Sequence, residues 1–251
     1  MPDVLVFSPT GNSRKVALHV AANLGGETRV LDLCNANQVP QSLQGTVPVI
    51  VAGPVFGGRV PTLMIQRLRQ YSLKGAKVIT IVTYGNRAYE DALIELNDLV
   101  SELGGTLVAS AAVVARHSMV PSVASDRPND IDFHNLECFT NAVKNKLKDP
   151  GNINAVSVPG NRPYRQWQKA PLTPVIVGTC IHCGLCAKTC PTQAIDPREP
   201  SCVDSSKCIL CMRCVMNCAT KARVLPQAVQ TMINEKLAPI ANIHRNSEFF
   251  L

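Results

Sequence analysis

Short apolar runs alternate with amphipathic segments along residues 1–120 of the chain. An alternation of this kind is typical of a parallel sheet whose strands are connected by helices. The first amphipathic segment has apolar residues at helical spacing, namely Ala17, Val20, Ala21 and Leu24. The apolar runs predict five strands, at Val4–Phe7, Arg29–Leu33, Val47–Val55, Lys77–Thr83 and Thr106–Ala115.

Three further helices are predicted. Pro61 suits the first helical position before Leu63–Leu68, because an N–H group at that position would have no partner within the helix. A second apolar stripe consists of Ala92, Leu96, Leu99 and Leu103. The last helix is predicted over Asp132–Leu147. Together these elements predict a doubly wound α/β fold. Residues 34–46 are too few for a helix prediction, so the connection between the second and third strands is the least certain part of this fold.

The most specific pattern lies in residues 180–190 and 208–218, which carry the same cysteine spacing. Both read C-x2-C-x2-C-x3-C at an offset of 28 residues, which indicates an internal duplication. Three thiolates spaced in this way surround one face of a cubane cluster, and the fourth ligand comes from the other repeat. The ligands predicted for one cluster are Cys180, Cys183, Cys186 and Cys218. Those predicted for the other are Cys208, Cys211, Cys214 and Cys190.

This block resembles bacterial-type two-cluster ferredoxins over residues 172–225, which implies a small α+β domain with two 4Fe-4S clusters. Structural zinc is the alternative. It prefers two separated C-x2-C pairs, whereas a third cysteine follows each pair here. Ala219 stands where these ferredoxins usually have proline after the fourth cysteine. This difference changes the local shape without removing a ligand.

The net charge of +7 is unevenly distributed along the chain. Residues 1–150 carry 14 basic and 13 acidic side chains, whereas residues 151–251 carry 11 and 5. A basic half is a feature of many nucleic-acid-binding proteins. However, the chain has no run of Lys or Arg and no aromatic platform, and negatively charged clusters would offset the positive charge. We therefore predict no nucleic-acid partner.

The beginning of the chain and its cysteine content favour a reducing compartment. Asp3 and the lack of a basic region do not fit a secretory signal, and no apolar stretch approaches the roughly 18 residues of a membrane span. We expect a cytoplasmic protein without a membrane span, whose eleven cysteines are ligands and free thiols rather than disulfides. Cys34 and Cys138 are interpreted as buried small apolar side chains. Cys202, six residues before a predicted ligand, is interpreted in the same way, with a redox or ligand-exchange role as the alternative.

The loops that follow the predicted strands should meet at one edge of the sheet. The first loop carries hydroxyl, amide and glycine residues directly before the first helix, where free N–H groups form an anion site. It lacks the Gly-Lys pair of a nucleotide P-loop and the three glycines of a dinucleotide fingerprint. It is similar to the phosphate loop of flavodoxins, which implies an FMN phosphate site at Ser8, Thr10, Gly11, Asn12 and Ser13.

Two later loops correspond to those that clasp the isoalloxazine ring in flavodoxins. Their glycines let the backbone approach a flat ligand, and two aromatic side chains are candidate ring neighbours. The resemblance implies contacts from Pro54, Val55, Phe56, Gly57, Gly58 and Arg59, and from Thr83, Tyr84, Gly85, Asn86, Arg87 and Tyr89. Flavodoxins are acidic around the ring, so an arginine of these loops directed at the flavin would raise its reduction potential.

A fourth loop, Arg116–Met119, should reach the same edge of the sheet. It contains His117, which is the candidate catalytic residue; a purely structural histidine is the alternative.

The whole chain resembles bacterial and archaeal fusions of a flavodoxin-like domain with a two-cluster ferredoxin. The resemblance extends from the FSPTGNS loop through GGRVP and TYGNRAYEDAL to the cysteine block and the Glu-Phe-Phe near the end. It implies a five-stranded doubly wound parallel sheet followed by a small ferredoxin domain. The expected regions are a flavodoxin-like FMN domain at 1–150, a linker at 151–171, the ferredoxin domain at 172–225 and, at 226–251, a tail that packs back on a domain.

These features predict a protein of anaerobic type that passes electrons between two 4Fe-4S clusters and FMN, and onward to a redox partner protein. One alternative is an FMN-dependent reductase of a small organic acceptor, which an open pocket over the ring would favour. Another is an iron–sulfur sensor or adaptor without flavin, which flavin-free fresh protein would favour. In the first two cases the cofactors supply the redox chemistry and the chain supplies binding and electrostatics.

Overall fold

The computed structural model describes residues 2–40, 43, 48–149 and 154–251. Its first five strands are β1 (Asp3–Val6), β2 (Arg29–Asp32), β3 (Val49–Pro54), β4 (Lys77–Tyr84) and β5 (Thr106–Val114). They pair in parallel in the order β2-β1-β3-β4-β5. This order is the flavodoxin-like form of a doubly wound sheet, so the predicted fold class is confirmed.

Four helices accompany these strands, namely α1 (Asn12–Leu24), α2 (Thr62–Leu68), α3 (Ala92–Glu102) and α4 (Asp130–Lys148). Asn129 caps α4 reciprocally with Asp132, which satisfies free N–H groups of the first turn. Pro61 directly precedes α2 instead of occupying its first position. Residues 33–40, after β2, contain turns but no helix. Val47, the predicted start of the third strand, lies outside the described residues.

The apolar side chains fill both faces of the sheet because successive strand residues point to opposite sides. Along β1, Leu5 contributes to one core layer, and Val4 and Val6 contribute to the other. The first layer includes buried residues of α2 and α3, and the second includes those of α1 and α4. The sheet is therefore buried on both sides, as its nearly continuous apolar strands require.

The C-terminal region contains six short or medium elements. They are β6 (Val175–Ile176), α5 (Leu185–Lys188), α6 (Arg213–Met216), β7 (Arg223–Val224), α7 (Gln227–Ala241) and β8 (Glu248–Phe250). Strands β6 and β7 form a separate antiparallel pair. Strand β8 joins the main sheet beside β5 and runs antiparallel to it. The main sheet thus has six strands where five were predicted, because a strand of three residues shows no periodicity in the sequence.

Residues 154–170 contain no helix or strand, yet they are bonded to α3 and to the residues before it. The Asp91 carboxylate accepts hydrogen bonds from the backbone N–H groups of Asn161 and Arg165, at 2.8 and 2.7 Å. Asp98 accepts from Arg162 and from the Tyr164 hydroxyl, each at 2.5 Å. Pro150 and Gly151, where the first domain boundary is predicted, lie outside the described residues.

Among the residues that the structure describes, no helix combines the length and the apolar character that crossing a bilayer requires.

Candidate functional site

Two cavities in the C-terminal region are each lined by cysteines of both repeats. The cysteines of the first cavity are Cys180, Cys183, Cys186 and Cys218. Those of the second are Cys190, Cys208, Cys211 and Cys214. Each cavity therefore combines three cysteines of one repeat with the fourth cysteine of the other.

The two repeats also have the same backbone geometry. The short helices α5 and α6 occupy equivalent positions of the 28-residue offset. Left-handed φ angles occur at three equivalent pairs, His182 and Leu210, Gly184 and Met212, and Gln193 and Lys221. In each repeat the fourth cysteine lies near the hydroxyl of a threonine two residues later, at 3.5 Å for Cys190 and 3.7 Å for Cys218. The duplication seen in the sequence is therefore a duplication of structure.

A third cavity lies at the carboxyl ends of β1, β3, β4 and β5. The loop after β1 forms a polar part of its wall, and the loops after the other three strands form most of the rest. The predicted flavin-site residues that line it are Ser8, Thr10, Asn12, Ser13, Pro54, Val55, Phe56, Thr83, Tyr84 and Gly85.

Hydrogen bonds fix the loop between β1 and α1. The Ser8 hydroxyl accepts from the backbone N–H of Arg14 at 3.0 Å. The buried hydroxyls of Ser13 and Thr83 are 2.7 Å apart, and the Asn12 amide donates to the carbonyl of the Arg116 residue at 3.0 Å. Within the described part of the chain, the Thr10 hydroxyl is the side-chain group of this loop that is left without a protein hydrogen bond.

Seven of the predicted flavin-site residues do not line the third cavity as described: Gly11, Gly57, Gly58, Arg59, Asn86, Arg87 and Tyr89. The two arginines are paired with carboxylates. Arg59 donates two hydrogen bonds to the buried Glu95, at 2.8 and 2.6 Å, and Arg87 donates two to Glu90, at 2.8 and 2.9 Å. Their charges are thus compensated within the protein rather than directed into the cavity.

The glycines after β3 are explained by protein neighbours. A Cβ atom on Gly57 would lie 2.0 Å from the indole nitrogen of Trp167, and one on Gly58 would collide with the Glu90 carboxylate. Both glycines also have left-handed φ angles, 58° and 86°. The single tryptophan of the chain therefore packs on this loop, and the two glycines leave room for Trp167 and Glu90.

The loop after β4 is held by the C-terminal segment. The side-chain amide of Asn86 donates to the carbonyls of Ile240 and Ile243, at 3.0 and 2.8 Å, and the Asn86 carbonyl accepts from Arg245 at 2.9 Å. Tyr89 is bonded to Glu248 at the start of β8. This loop therefore links the main sheet to the end of the chain.

His117 lines the third cavity, and it is neutral near pH 7. Burial, assisted by the nearby charge of Arg87, lowers its pKa to about 4. Its Nδ1 atom accepts from the backbone N–H groups of Met119 and Val120, at 3.3 and 3.1 Å. The proton of the neutral ring is therefore on Nε2. His117 can donate a hydrogen bond, but its low pKa makes it a poor store for a proton at neutral pH.

Cys211 lines both the second cysteine cavity and the third cavity. The surrounding contacts join the two parts of the molecule directly. Arg67 of α2 donates to the carbonyl of Leu33 at 2.6 Å and to that of Pro191 at 2.5 Å. Ile209 packs against the core layer that contains α2 and α3. The cysteine block is therefore seated beside the edge of the sheet where the third cavity opens.

The remaining cysteines differ in exposure. Cys34 is buried, as predicted, and burial raises the pKa of its thiol to about 12, so it is an unreactive thiol. Cys138 lies exposed on α4, so the prediction that it is buried is wrong. The apolar stripe of α4 faces the sheet, and Cys138 falls outside that stripe. Cys202 is also exposed.

Three residues of the third cavity wall are not predicted from the sequence, namely Pro9, Ala115 and Cys211. Arg116 and Ser118 belong to the fourth loop, which is expected at this edge of the sheet. Cys211 gave no signal, because its place beside the cavity depends on how the two parts of the chain pack.

Residues 179–222 match a family model described as a 4Fe-4S dicluster domain. A comparison with curated protein sequences gives no match.

Several solved structures resemble part of the chain. A flavodoxin of Streptococcus pneumonia is 18% identical and covers 58% of this chain and 98% of its own, with a TM-score of 0.42. Flavodoxin 1 of Bacillus cereus is 17% identical and covers 58% of this chain and 98% of its own, with a TM-score of 0.40. A rubredoxin oxygen:oxidoreductase of Desulfovibrio gigas is 13% identical and covers 59% of this chain and 36% of its own, with a TM-score of 0.43.

The chain therefore joins a flavodoxin-like α/β fold, which its strand order defines, to a C-terminal region that matches the model of a 4Fe-4S dicluster domain.

Proposed function

We propose that this chain is an electron-transfer protein in which two 4Fe-4S clusters and FMN form one circuit. The observation that carries the proposal is the position of Cys211, which lines a cysteine cavity and also the cavity at the carboxyl edge of the sheet. Cofactors in these two cavities would be neighbours with one side chain in common. This arrangement supports electron exchange within one molecule.

The cysteine cavities suit cubane clusters because each offers four thiols. We propose Cys180, Cys183, Cys186 and Cys218 as the ligands of one cluster, and Cys208, Cys211, Cys214 and Cys190 as those of the other. The shared geometry of the repeats supports two sites of one type. A zinc site would leave the third cysteine of each repeat without a role.

The third cavity suits FMN because hydroxyls at the N-terminus of α1 form one part of its wall and aromatic rings line another. We propose that Ser8, Thr10, Asn12 and Ser13 hold the phosphate, which a helix N-terminus also favours. Phe56, Tyr84 and Gly85 are the proposed neighbours of the ring. When bound, FMN exchanges one or two electrons and each cluster exchanges one, and the chain supplies their positions and electrostatics.

The partners of such a protein are an electron donor and an electron acceptor. We propose that residues 172–225 form the cluster domain and residues 1–150 the flavin domain. Residues 154–170, within the proposed linker 151–171, pack on the flavin domain, and residues 226–251 fasten the two parts together.

A flavin-dependent reductase would need a proton donor beside its substrate. His117 is the candidate, yet its pKa of about 4 leaves it neutral at pH 7. The structure thus offers its Nε2–H group as a hydrogen-bond donor, which is compatible with electron transfer and gives no separate support to a reductase.

The first test is the cofactor content of protein purified without oxygen. We expect roughly eight irons and eight sulfides per chain, as two four-iron sites imply, together with FMN. A chain that holds clusters but no flavin would favour the sensor or adaptor instead.

The second test is stopped-flow reduction of the clusters by a low-potential ferredoxin while the flavin absorbance is followed. Within one circuit, the flavin should be reduced in a first-order step whose rate does not depend on protein concentration. Deleting residues 246–251 should slow this step without removing either cofactor. A flavin that stays oxidised, or that is reduced in proportion to protein concentration, would contradict the circuit.

A further inference from the structure

Arg223 is the largest fully buried side chain in the described part of the chain, with 2% of its surface exposed. It begins β7, directly after the second repeat. Its guanidinium donates to the carbonyls of Pro174, at 3.2 Å, and of Pro200. One of its nitrogens also lies 3.9 Å from the sulfur of Cys186. An arginine is thus enclosed in the centre of the small domain and touches a proposed cluster ligand.

Arg223 lies between the two cysteine cavities. In the described residues it is the one side chain that lines both of them. A charge placed there acts on the contents of both cavities through the protein interior, where screening by solvent and salt is weak.

The charge of Arg223 has no carboxylate partner among the salt bridges of the residues described. Carbonyl oxygens satisfy its N–H groups but carry no net charge. A buried cation without a counter-charge is strongly destabilising. The clusters, each held by four thiolates, are the groups in this domain that would supply negative charge beside it.

The duplication shows that an arginine is not what the fold requires at this position. The residue 28 positions earlier is Ile195, which is also buried, with 5% exposed. Ile195 lies in a short antiparallel bridge with Val203, and Arg223 lies in the antiparallel pair of β7 with β6. Equivalent backbone therefore carries an apolar side chain in one repeat and a cation in the other.

We propose that Arg223 is a shared counter-charge that raises the reduction potentials of both clusters. The inference rests on the proposed function insofar as that function places the clusters in these cavities. Reduction adds negative charge to a cluster, and both a nearby cation and a hydrogen bond to a ligand sulfur favour the reduced form. The cluster that contains Cys186 receives both effects, so its potential depends more strongly on Arg223.

The test is a redox titration, followed by EPR, of wild-type protein and of Arg223→Met, which keeps an unbranched side chain but removes the charge. At a fixed applied potential, the ratio of reduced to oxidised cluster should fall about tenfold in the variant, which is a shift of 59 mV for one electron. The shift should be larger for the cluster bound by Cys186. Arg223→Lys keeps the charge, so the cluster that does not contain Cys186 should keep a reduction potential close to that of the wild type.

Arg198→Met is the matched control, because Arg198 is exposed in the same domain and its loss changes the net charge by the same amount. We expect its potentials to equal those of the wild type. Equal shifts in Arg198→Met and Arg223→Met, or unchanged potentials in Arg223→Met with full iron content, would overturn the proposal.

The iron content of wild-type protein and of the two Arg223 variants distinguishes the remaining outcomes. Loss of clusters from Arg223→Met, with full iron and near wild-type potentials in Arg223→Lys, supports the counter-charge. Loss from both variants overturns it, because the residue would then be required for its shape. Wild-type protein without iron would refute the proposed function and this inference together.

Discussion

The phenolic oxygen of Tyr89 donates a hydrogen bond of 2.8 Å to the carboxylate of Glu248. The two residues are 159 positions apart, and their bond connects the loop after β4 to the start of the last strand. Burial and this hydrogen bond raise the pKa of the Tyr89 hydroxyl, so it remains a donor throughout the physiological range. The bond therefore fastens the end of the chain to the loop that lies beside the proposed flavin site.

Replacing Tyr89 by Phe should lower the free energy of unfolding by about 2 kcal/mol, because a hydrogen bond to a charged acceptor is lost and the Glu248 carboxylate loses a partner. Denaturant unfolding under anaerobic conditions measures this. Tyr71→Phe is the matched control: the Tyr71 hydroxyl is buried without a hydrogen-bond partner in the described residues. Its removal should leave stability unchanged or raise it, and equal losses in both variants would contradict the role of Glu248.

Replacing Cys218 by Ser should damage the cluster associated with the first repeat and leave the second intact. The reason is that Cys218 lines the cavity formed by the first three cysteines of the first repeat. EPR spectra of the reduced protein distinguish the two clusters. Cys202→Ser is the control, since Cys202 is exposed and lines neither cavity. Selective loss of the second-repeat cluster would show that the ligands are not exchanged between repeats.

Removing the hydroxyls of Thr10 and Ser13 together, by replacing both residues with Ala, should weaken FMN binding far more than riboflavin binding. Charge-assisted hydrogen bonds to phosphate are worth about 1.5–3 kcal/mol each, so the loss of two should weaken FMN binding at least roughly a hundredfold. Fluorescence titration measures both ligands, and riboflavin reports any general damage to the cavity, for example from the lost contact of Ser13 with Thr83. Equal weakening of both ligands would exclude a phosphate site here.

His117 should make the protein less stable in mild acid. Its pKa falls from 6.5 to about 4 on folding, so between these values the unfolded chain binds a proton that the folded chain does not. The stabilisation is therefore complete above pH 6.5 and is lost as the pH falls toward 4. At pH 5 the loss amounts to about 2 kcal/mol.

His117→Asn keeps an acceptor near the backbone N–H groups but cannot titrate, so it isolates this effect. The difference in unfolding free energy between wild type and variant should shrink by about 2 kcal/mol between pH 7 and pH 5. A difference that stays constant would mean that His117 titrates normally in the folded protein.

The five parallel strands could be predicted because each is a continuous apolar run, whereas the segments between them have apolar residues at helical spacing. The strand β8 could not, because Glu248–Phe250 is too short for a pattern and its pairing with β5 is distant in sequence. The cysteine spacing predicts which residues belong together. It does not reveal that Cys211 also borders the cavity at the sheet edge, since this depends on packing between the two parts of the chain.

The loops after β3 and β4 make contacts that their own sequences do not reveal. The glycines after β3 suggest room for a flat ligand, but Trp167, more than a hundred residues later, packs on Gly57. By sequence, Arg59 and Arg87 are candidate charges near the flavin, but Glu95 and Glu90 pair with them. In both cases the sequence identifies unusual residues in a loop, but their contacts depend on neighbours that are distant in sequence.

The pairing of β8 with β5 has a consequence for the behaviour of the protein in a crowded solution. Strand β5 is the last of the parallel strands, so without β8 its N–H and C=O groups would be exposed along an open edge. Open edges of this kind recruit strands from other molecules. The end of the chain therefore acts as a cover that discourages self-association. A chain cut before Glu248 should form aggregates as its concentration rises, even where its cofactor sites are intact.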